Sequence, residues 1–403
     1  MNELSSLGLI LLFALAAGHL VKLVRIPEVV GYILAGVLVG PSVLGWVSHD
    51  NLQTLSVFSE VALGMILFSV GSIFEFQRAR ALGLGVMQVT FTESLLAALL
   101  VCAAMLLMGQ PWQVSLLLGS VAIATAPAST LMVIRECNSA GPLTETLLGV
   151  IGLNNILCIT GFSLVAAAID LSTSFAGSQE ILTTLYRSLF PLVWQLIGSV
   201  ALGFLVGLLL SSWATRVVEH GEILILLTGS VLLCVGAALV LELSTLVASL
   251  AVGGTMVNLS TNSRRLYKTL SSSDPPFYAI FFVIAGADLN LLQLKTLGSF
   301  GLIYVVARAT GKVLGARYGA RRAGLEDVVQ KLIGFGLMSQ AGLALGLVLT
   351  INRRFPEQAP AVSTVVLAAV AISELIGPIA ARLAILKSGE SRQHPREPIV
   401  ALD

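Results

Sequence analysis

Charge is what this sequence has least of. Lysine, arginine, aspartate and glutamate make up 11% of the 403 residues, against about 25% in an ordinary soluble domain. Together with an apolar share of 56%, that scarcity excludes a soluble globular chain and leaves a polytopic membrane protein. A formal net charge of +1 excludes the basic surface that nucleic acid or another polyanion requires. Cysteine and histidine are also sparse. Cys102, Cys137, Cys158 and Cys234, like His19, His49, His220 and His394, are scattered along the chain, without the spacing of a disulfide framework or a zinc motif. No phosphate-binding loop occurs. Gly334-Phe335-Gly336 lacks the third glycine of a dinucleotide fingerprint and lies inside an apolar run. Neither a cofactor nor an enzymatic reaction is expected. The first apolar segment lacks a basic leader and a cleavage site, so it is expected to be a retained span.

What is present is a succession of apolar runs near the length that crosses a bilayer. They fall at about 4–24, 27–43, 52–73, 82–108, 113–134, 144–169, 188–212, 222–241, 244–260, 277–292, 298–320, 329–351 and 361–386. Cytoplasmic connections carry an excess of lysine and arginine. The loops after odd-numbered spans, with the C-terminal tail, hold Lys22, Arg25, Arg78, Arg80, Arg135, Arg216, Arg264, Arg265, Lys268, Arg317, Arg321, Arg322, Lys331, Lys387, Arg392 and Arg396. The other side holds Arg187, Lys295, Arg353 and Arg354. Gaining or losing one span midway would scramble this separation. The expectation is therefore about 13 transmembrane helices with the N-terminus outside and the C-terminus cytoplasmic. The short polar tail, 387–403, is expected to carry no nucleotide-binding domain.

Helices broken at matching positions of two halves point to a transporter's binding site. Span 5 contains "ATAPASTL", Ala124–Leu131, where Pro127 removes a donor and disfavours helix at Ala126. Span 12 contains "GLMSQAGLALG", Gly336–Gly346, small and polar at mid-membrane. Spans 2 and 9, and spans 6 and 13, echo each other as well. All these pairs are seven apart, an odd number, so their members run in opposite directions. The fold expected is an inverted repeat with two crossed broken helices: one repeat over about 4–169, a linker helix over about 188–212, and a second repeat over about 222–386. Unpaired backbone groups and half-helix dipoles at the crossing suit an ion site, with Thr125, Ser129, Ser339 and Gln340 close by. Span 6 adds "GVIGLNNILCITGF", Gly149–Phe162, with Asn154 and Asn155 adjacent at its centre. Paired amides can knit helices together, but beside a broken helix and its inverted mate they fit a lined cavity better.

Several stretches resemble the monovalent cation:proton antiporter-2 family, the Kef- and NapA-like sodium or potassium/proton exchangers. These are "RIPEVVGYILAGVLVGPSVLG" (Arg25–Gly45), "LFSVGSIFEFQRARALG" (Leu67–Gly83), "ATAPASTLMVIRE" (Ala124–Glu136), "FYAIFFVIAGADL" (Phe277–Leu289) and "QAGLALGL" (Gln340–Leu347). The resemblance implies an NhaA-type fold, elevator-like alternating access, a homodimer, and residence in the inner cell membrane. It also implies an Asp-Asp or Asn-Asp pair where this sequence has Asn154-Asn155. A buried carboxylate couples cation and proton by taking one or the other. An amide offers a carbonyl oxygen to a cation but carries no exchangeable charge.

Another residue must then carry the proton. Arg308 and Lys312, deep in span 11, share one helix face at i, i+4 spacing. Either they form structural ion pairs holding bundles together, or Lys312, which best matches the family's basic residue beside the acid pair, is itself the proton carrier. Acids at membrane depth are Glu60, Glu93, Asp288 and Glu374. Glu60 and Glu374 look typical of the family; Glu93 does not, and Glu60 is favoured as the substitute carboxylate. Glu28 and Glu75 flank loops and are read as solvated. Three functions stay open: exchange of sodium or potassium for protons, sodium-coupled symport of an organic solute on the same fold, and a transport-silent form, natural or engineered.

Overall fold

Hydrocarbon offers no water to satisfy a backbone amide, so a spanning chain of this composition folds as helix. The computed structural model of the chain describes residues 3–24, 26–72, 76–173, 178–217, 219–260, 263–289 and 298–391, and no strand occurs among them. Arg25, Glu75, Lys295 and the tail from Arg392 lie outside the described residues.

The helices are α1 Glu3–Leu23, α2 Glu28–Val39, α3 His49–Gly71, α4 Phe76–Leu107, α5 Trp112–Ala122, α6 Pro127–Glu136, α7 Pro142–Thr173, α8 Ser178–Ala214 and α9 His220–Val240. They continue with α10 Thr245–Leu259, α11 Ser263–Ser273, α12 Pro275–Ala287, α13 Gly298–Arg322, α14 Asp327–Leu332, a 3-10 turn Ile333–Leu337, α15 Gly342–Arg354 and α16 Ala359–Ser388. Prolines open α6 and α12 at first-turn positions where a missing N–H costs nothing. The hydroxyls of Ser48 and Ser244 accept from Asn51 N and Val247 N to cap α3 and α10.

Length and composition qualify eight segments among the described residues as membrane spans, nine if the bent pair Asp327–Leu337 and Gly342–Arg354 is one. The short apolar helices α2, α10 and α12 fall below that length, and α13 is not in the set. One element was not foreseen. The basic stretch after span 9 forms α11, an amphipathic helix whose Leu266 and Leu270 are buried against α9 and α10 while Arg265 and Lys268 are exposed. At 11 residues it is too short to cross.

Small residues bring three helix pairs to backbone contact, as membrane packing favours. A methyl group on Gly36 of α2 would stand 2.1 Å from Val283 O of α12, and one on Gly286 would stand 2.2 Å from Ile33 O. The pair α3 and α10 repeats this through Gly71 against Leu250 O and Gly253 against Phe68 O. The most extensive contact joins α4 to α13. There Gly311, Gly315 and Gly319 would place added methyls within 2.5, 2.6 and 2.7 Å of Ala97, Glu93 and Val89 Cα. Leu, Phe and Trp side chains such as Leu99, Phe204 and Trp213 are exposed on outer faces, an apolar surface of the kind that lipid covers.

Candidate functional site

Two helices break in the middle of the molecule, and they break against each other. α5 ends at Ala122 and α6 begins at Pro127, with a non-helical break between them that is extended at Ala126. Residues 338–341 separate the 3-10 turn from α15, and the two halves of that span are bent by 48°. Ala126 N donates to Ser339 O at 3.0 Å, and Thr130 Oγ1 donates to Gly336 O at 3.0 Å, tying one break to the other. Gly377 of α16 makes room for this crossing, because a methyl there would meet Ser339 Oγ at 2.2 Å.

Broken helices leave carbonyls unpaired at the C-terminal, negative ends of their first halves. Both ends are occupied by the protein's own cations. Arg308 donates from Nε to Ala122 O (3.1 Å), from one terminal nitrogen to Met338 O (2.7 Å), and from the other to Ala124 O (2.6 Å) and Ser339 O (3.2 Å). Lys312 Nζ donates to Ile123 O at 2.6 Å and to Thr125 Oγ1 at 2.8 Å. The planar guanidinium suits several acceptors in a fixed fork. Arg308 is therefore a clamp on main-chain carbonyls, where the sequence suggested one half of a structural ion pair.

The carboxylate beside Lys312 is Glu93. Its Oε2 lies 2.7 Å from Lys312 Nζ, and both side chains are 0% exposed. Glu93 Oε1 accepts from Asn154 Nδ2 at 2.7 Å and from Ser94 Oγ at 2.9 Å, and Asn154 Nδ2 also reaches Ser94 Oγ at 3.1 Å. Glu60, favoured from sequence, is exposed on α3 and lines a cavity to one side of the crossing. The α4–α13 contact decides the matter: Gly315 lets α13 approach the backbone of Glu93 itself, so the acid and Lys312, three residues before that glycine, meet fully buried. Gly311-Gly315-Gly319 was the signal in the sequence that α13 had a close partner.

The other expected site residues divide. Thr125 joins Lys312. Gln340 donates to Val121 O at 3.0 Å and to Tyr304 OH at 3.1 Å, bracing the break. Ser129, Asn155 and Ser339 are buried. Among these site residues, the oxygens with no hydrogen-bond partner among the described residues are those of Ser129 and Ser339 (Oγ), Asn154 and Asn155 (Oδ1) and Gln340 (Oε1), the acceptor chemistry a hard cation takes.

Over residues 8–385 the sequence matches the family described as sodium/hydrogen exchanger, transmembrane. The chain belongs to that family. Among its curated relatives, the ammonium/H(+) antiporter subunit AmhT of Alkalihalophilus pseudofirmus is 24% identical over 85% of each chain. The Na(+)/H(+) antiporter of Enterococcus hirae is 24% identical over 86% of this chain and 88% of its own. The Na(+)/H(+)-K(+) antiporter GerN of Bacillus cereus is 23% identical over 84% and 85%. The solved structure of the sodium proton antiporter MjNhaP1 from Methanocaldococcus jannaschii at pH 8 superposes with a TM-score of 0.72, at 17% identity, over 96% of this chain and 98% of that one. This exchanger-family chain is thus an all-α polytopic membrane protein with an NhaP-like fold.

Proposed function

We propose that the protein is a secondary transporter exchanging a monovalent cation, sodium or potassium, for protons, with Glu93 of α4 and Lys312 of α13 as its charged centre. The observation that carries this reading is the fully buried Glu93–Lys312 pair, held by Asn154 at the crossing of two broken helices. Charge balance supplies the coupling. With Lys312 protonated and Glu93 ionised the centre is neutral, as a hydrocarbon interior demands. A cation that takes the carboxylate from Lys312 adds one positive charge, and departure of the Lys312 proton restores neutrality. Cation and proton therefore exclude each other. The carbonyl oxygens of Asn154 and Asn155, without a partner among the described residues, offer the cation neutral ligands.

The finer architecture belongs to the same proposal: thirteen spans in two inverted repeats, with an NhaA-type division into a core bundle and a second panel. The glycine-sealed pair α2–α12 corresponds, under a shift of seven spans with reversed direction, to the pair α10–α3, and α4 corresponds to α13. That correspondence supports the repeat. Elevator-like movement of the core, a homodimer, and an inner-membrane setting with the C-terminus cytoplasmic complete the reading. Arg135 at the end of α6 pairs with buried Asp274 ahead of α12. This contact would have to part for the core to move.

The test is proton flux in proteoliposomes against imposed sodium, potassium and lithium gradients across a pH series. Gradient-driven proton movement that disappears in Glu93→Gln supports exchange at this centre. Cation uptake without proton movement would favour sodium-coupled symport, and silence from folded protein would favour a transport-silent form.

A further inference from the structure

A cavity of about 450 Å³ opens between α2, α3 and α12 on one side and the α15 break and α16 on the other. Glu60 and Asp288, both exposed, bring carboxylates to it, and Ser59 lies on the α3 wall. Glu374 also lines it and is of another kind. It is 4% exposed, and neither of its carboxylate oxygens has a hydrogen-bond partner among the described residues. Arg308, the buried cation of the crossing, has its donors taken by four main-chain carbonyls at the two breaks. The other two buried acids among the described residues have partners: Glu93 is held by Lys312 and Asn154, and Asp274 by Arg135 and Ser69. Glu374 is thus a buried carboxylate lining an accessible cavity, with its acceptor capacity unspent. Burying an acid in this way is costly unless a cation or proton comes to it.

We propose that Glu374 binds a monovalent cation at the floor of this cavity, a site separate from the Glu93–Lys312 centre. A single charge is the match, because one buried carboxylate faces the ligand. Among the described residues no group of three His, Cys, Asp or Glu side chains is placed to hold a metal ion. Glu60 and Asp288 gather cations at the cavity through their field. The space and its largely apolar walls admit a small organic ammonium as well as a hydrated sodium or potassium ion; the shared chemistry is one positive charge on the Glu374 carboxylate.

The experiment places a reporter thiol in the cavity as Ser59→Cys, in the full chain with its four native cysteines replaced. Modification by a cationic thiol reagent is followed without and with sodium, potassium or methylammonium, and the three cations distinguish inorganic from organic ligands. Protection by at least one of them, retained in Glu93→Gln and lost in Glu374→Gln, is the expected result. Protection that survives Glu374→Gln, or no protection by any of the three, overturns the proposal. If Glu374→Gln does not fold, Glu374→Asp replaces it: a raised half-protecting concentration supports the site and an unchanged one refutes it. Exchange measured in parallel on Glu93→Gln keeps the two centres apart, since exchange depends on Glu93 and protection on Glu374.

Discussion

Replacing Glu93 with glutamine keeps its shape and removes its charge, leaving the Lys312 ammonium buried without its carboxylate. At the 2.7 Å separation, an effective dielectric of about 20 gives roughly 6 kcal/mol of attraction. Desolvation of two fully buried charges offsets much of it, and removing one partner of such a pair costs about 3–5 kcal/mol. Lys312→Met should cost at least as much, because it also empties the bonds to Ile123 O and Thr125 Oγ1. The double variant Glu93→Gln/Lys312→Met leaves no uncompensated charge and should recover about 2–3 kcal/mol relative to the sum of the singles, the size of coupling expected for contacting residues. Denaturant unfolding of purified protein in detergent measures the cycle, and proteoliposome exchange should be lost in all three variants. Additive losses, or a Glu93→Gln protein as stable as the parent, would refute the reasoning that the pair is one electrostatic unit.

Gly315→Val pushes a side chain to within 2.6 Å of Glu93 Cα, so it should cost about 1–3 kcal/mol by overpacking and weaken exchange. Gly8→Ala, with nothing within 4 Å, is the matched control and should stay within about 0.5 kcal/mol by the same unfolding assay. Asn154→Ala deletes a 2.7 Å hydrogen bond to an ionised carboxylate and should cost about 1.5–3 kcal/mol, seen as a lowered unfolding midpoint. Asn155→Asp, introduced into inactive Glu93→Gln, returns a carboxylate to the centre from α7. Proton flux driven by a sodium or potassium gradient should reappear, and continued silence from folded protein would show that the acid must come from α4.

The architecture was legible where chemistry marks the chain locally. Pro127 cannot donate and disfavours helix before it, so the first break shows in the sequence, and the small, polar run at 336–346 marks its mate. Arg308 and Lys312 stood out because charge at that depth is expensive. What they touch was not legible. Arg308 reads from sequence as one half of an ion pair, yet its acceptors are carbonyls that exist only because two helices stop beside it. The choice of Glu60 over Glu93 failed for a similar reason. Depth along a helix can be counted in residues, whereas the neighbour of α4 is set by tertiary packing. The spacing Gly311-Gly315-Gly319 held that information, because three glycines on one face of a membrane helix have little use without a backbone pressed against them. Helix α11 carries no apolar run of spanning length, since a short amphipathic segment alternates polarity around its axis.

The Asn154-Asn155 pair takes its meaning from this packing. A carboxylate–ammonium interaction depends on separation and on exclusion of water, and neither depends on which helix supplies the acid. With α4 and α13 in backbone contact, Glu93 reaches Lys312 directly, and Asn154 serves the acid as a donor. A second ionised group at 154 would repel Glu93 at hydrogen-bonding distance, so an amide there is the residue that a glutamate at 93 requires. The neutral pair and the acid on α4 are then one arrangement, and the charge that span 6 lacks is carried one helix face away.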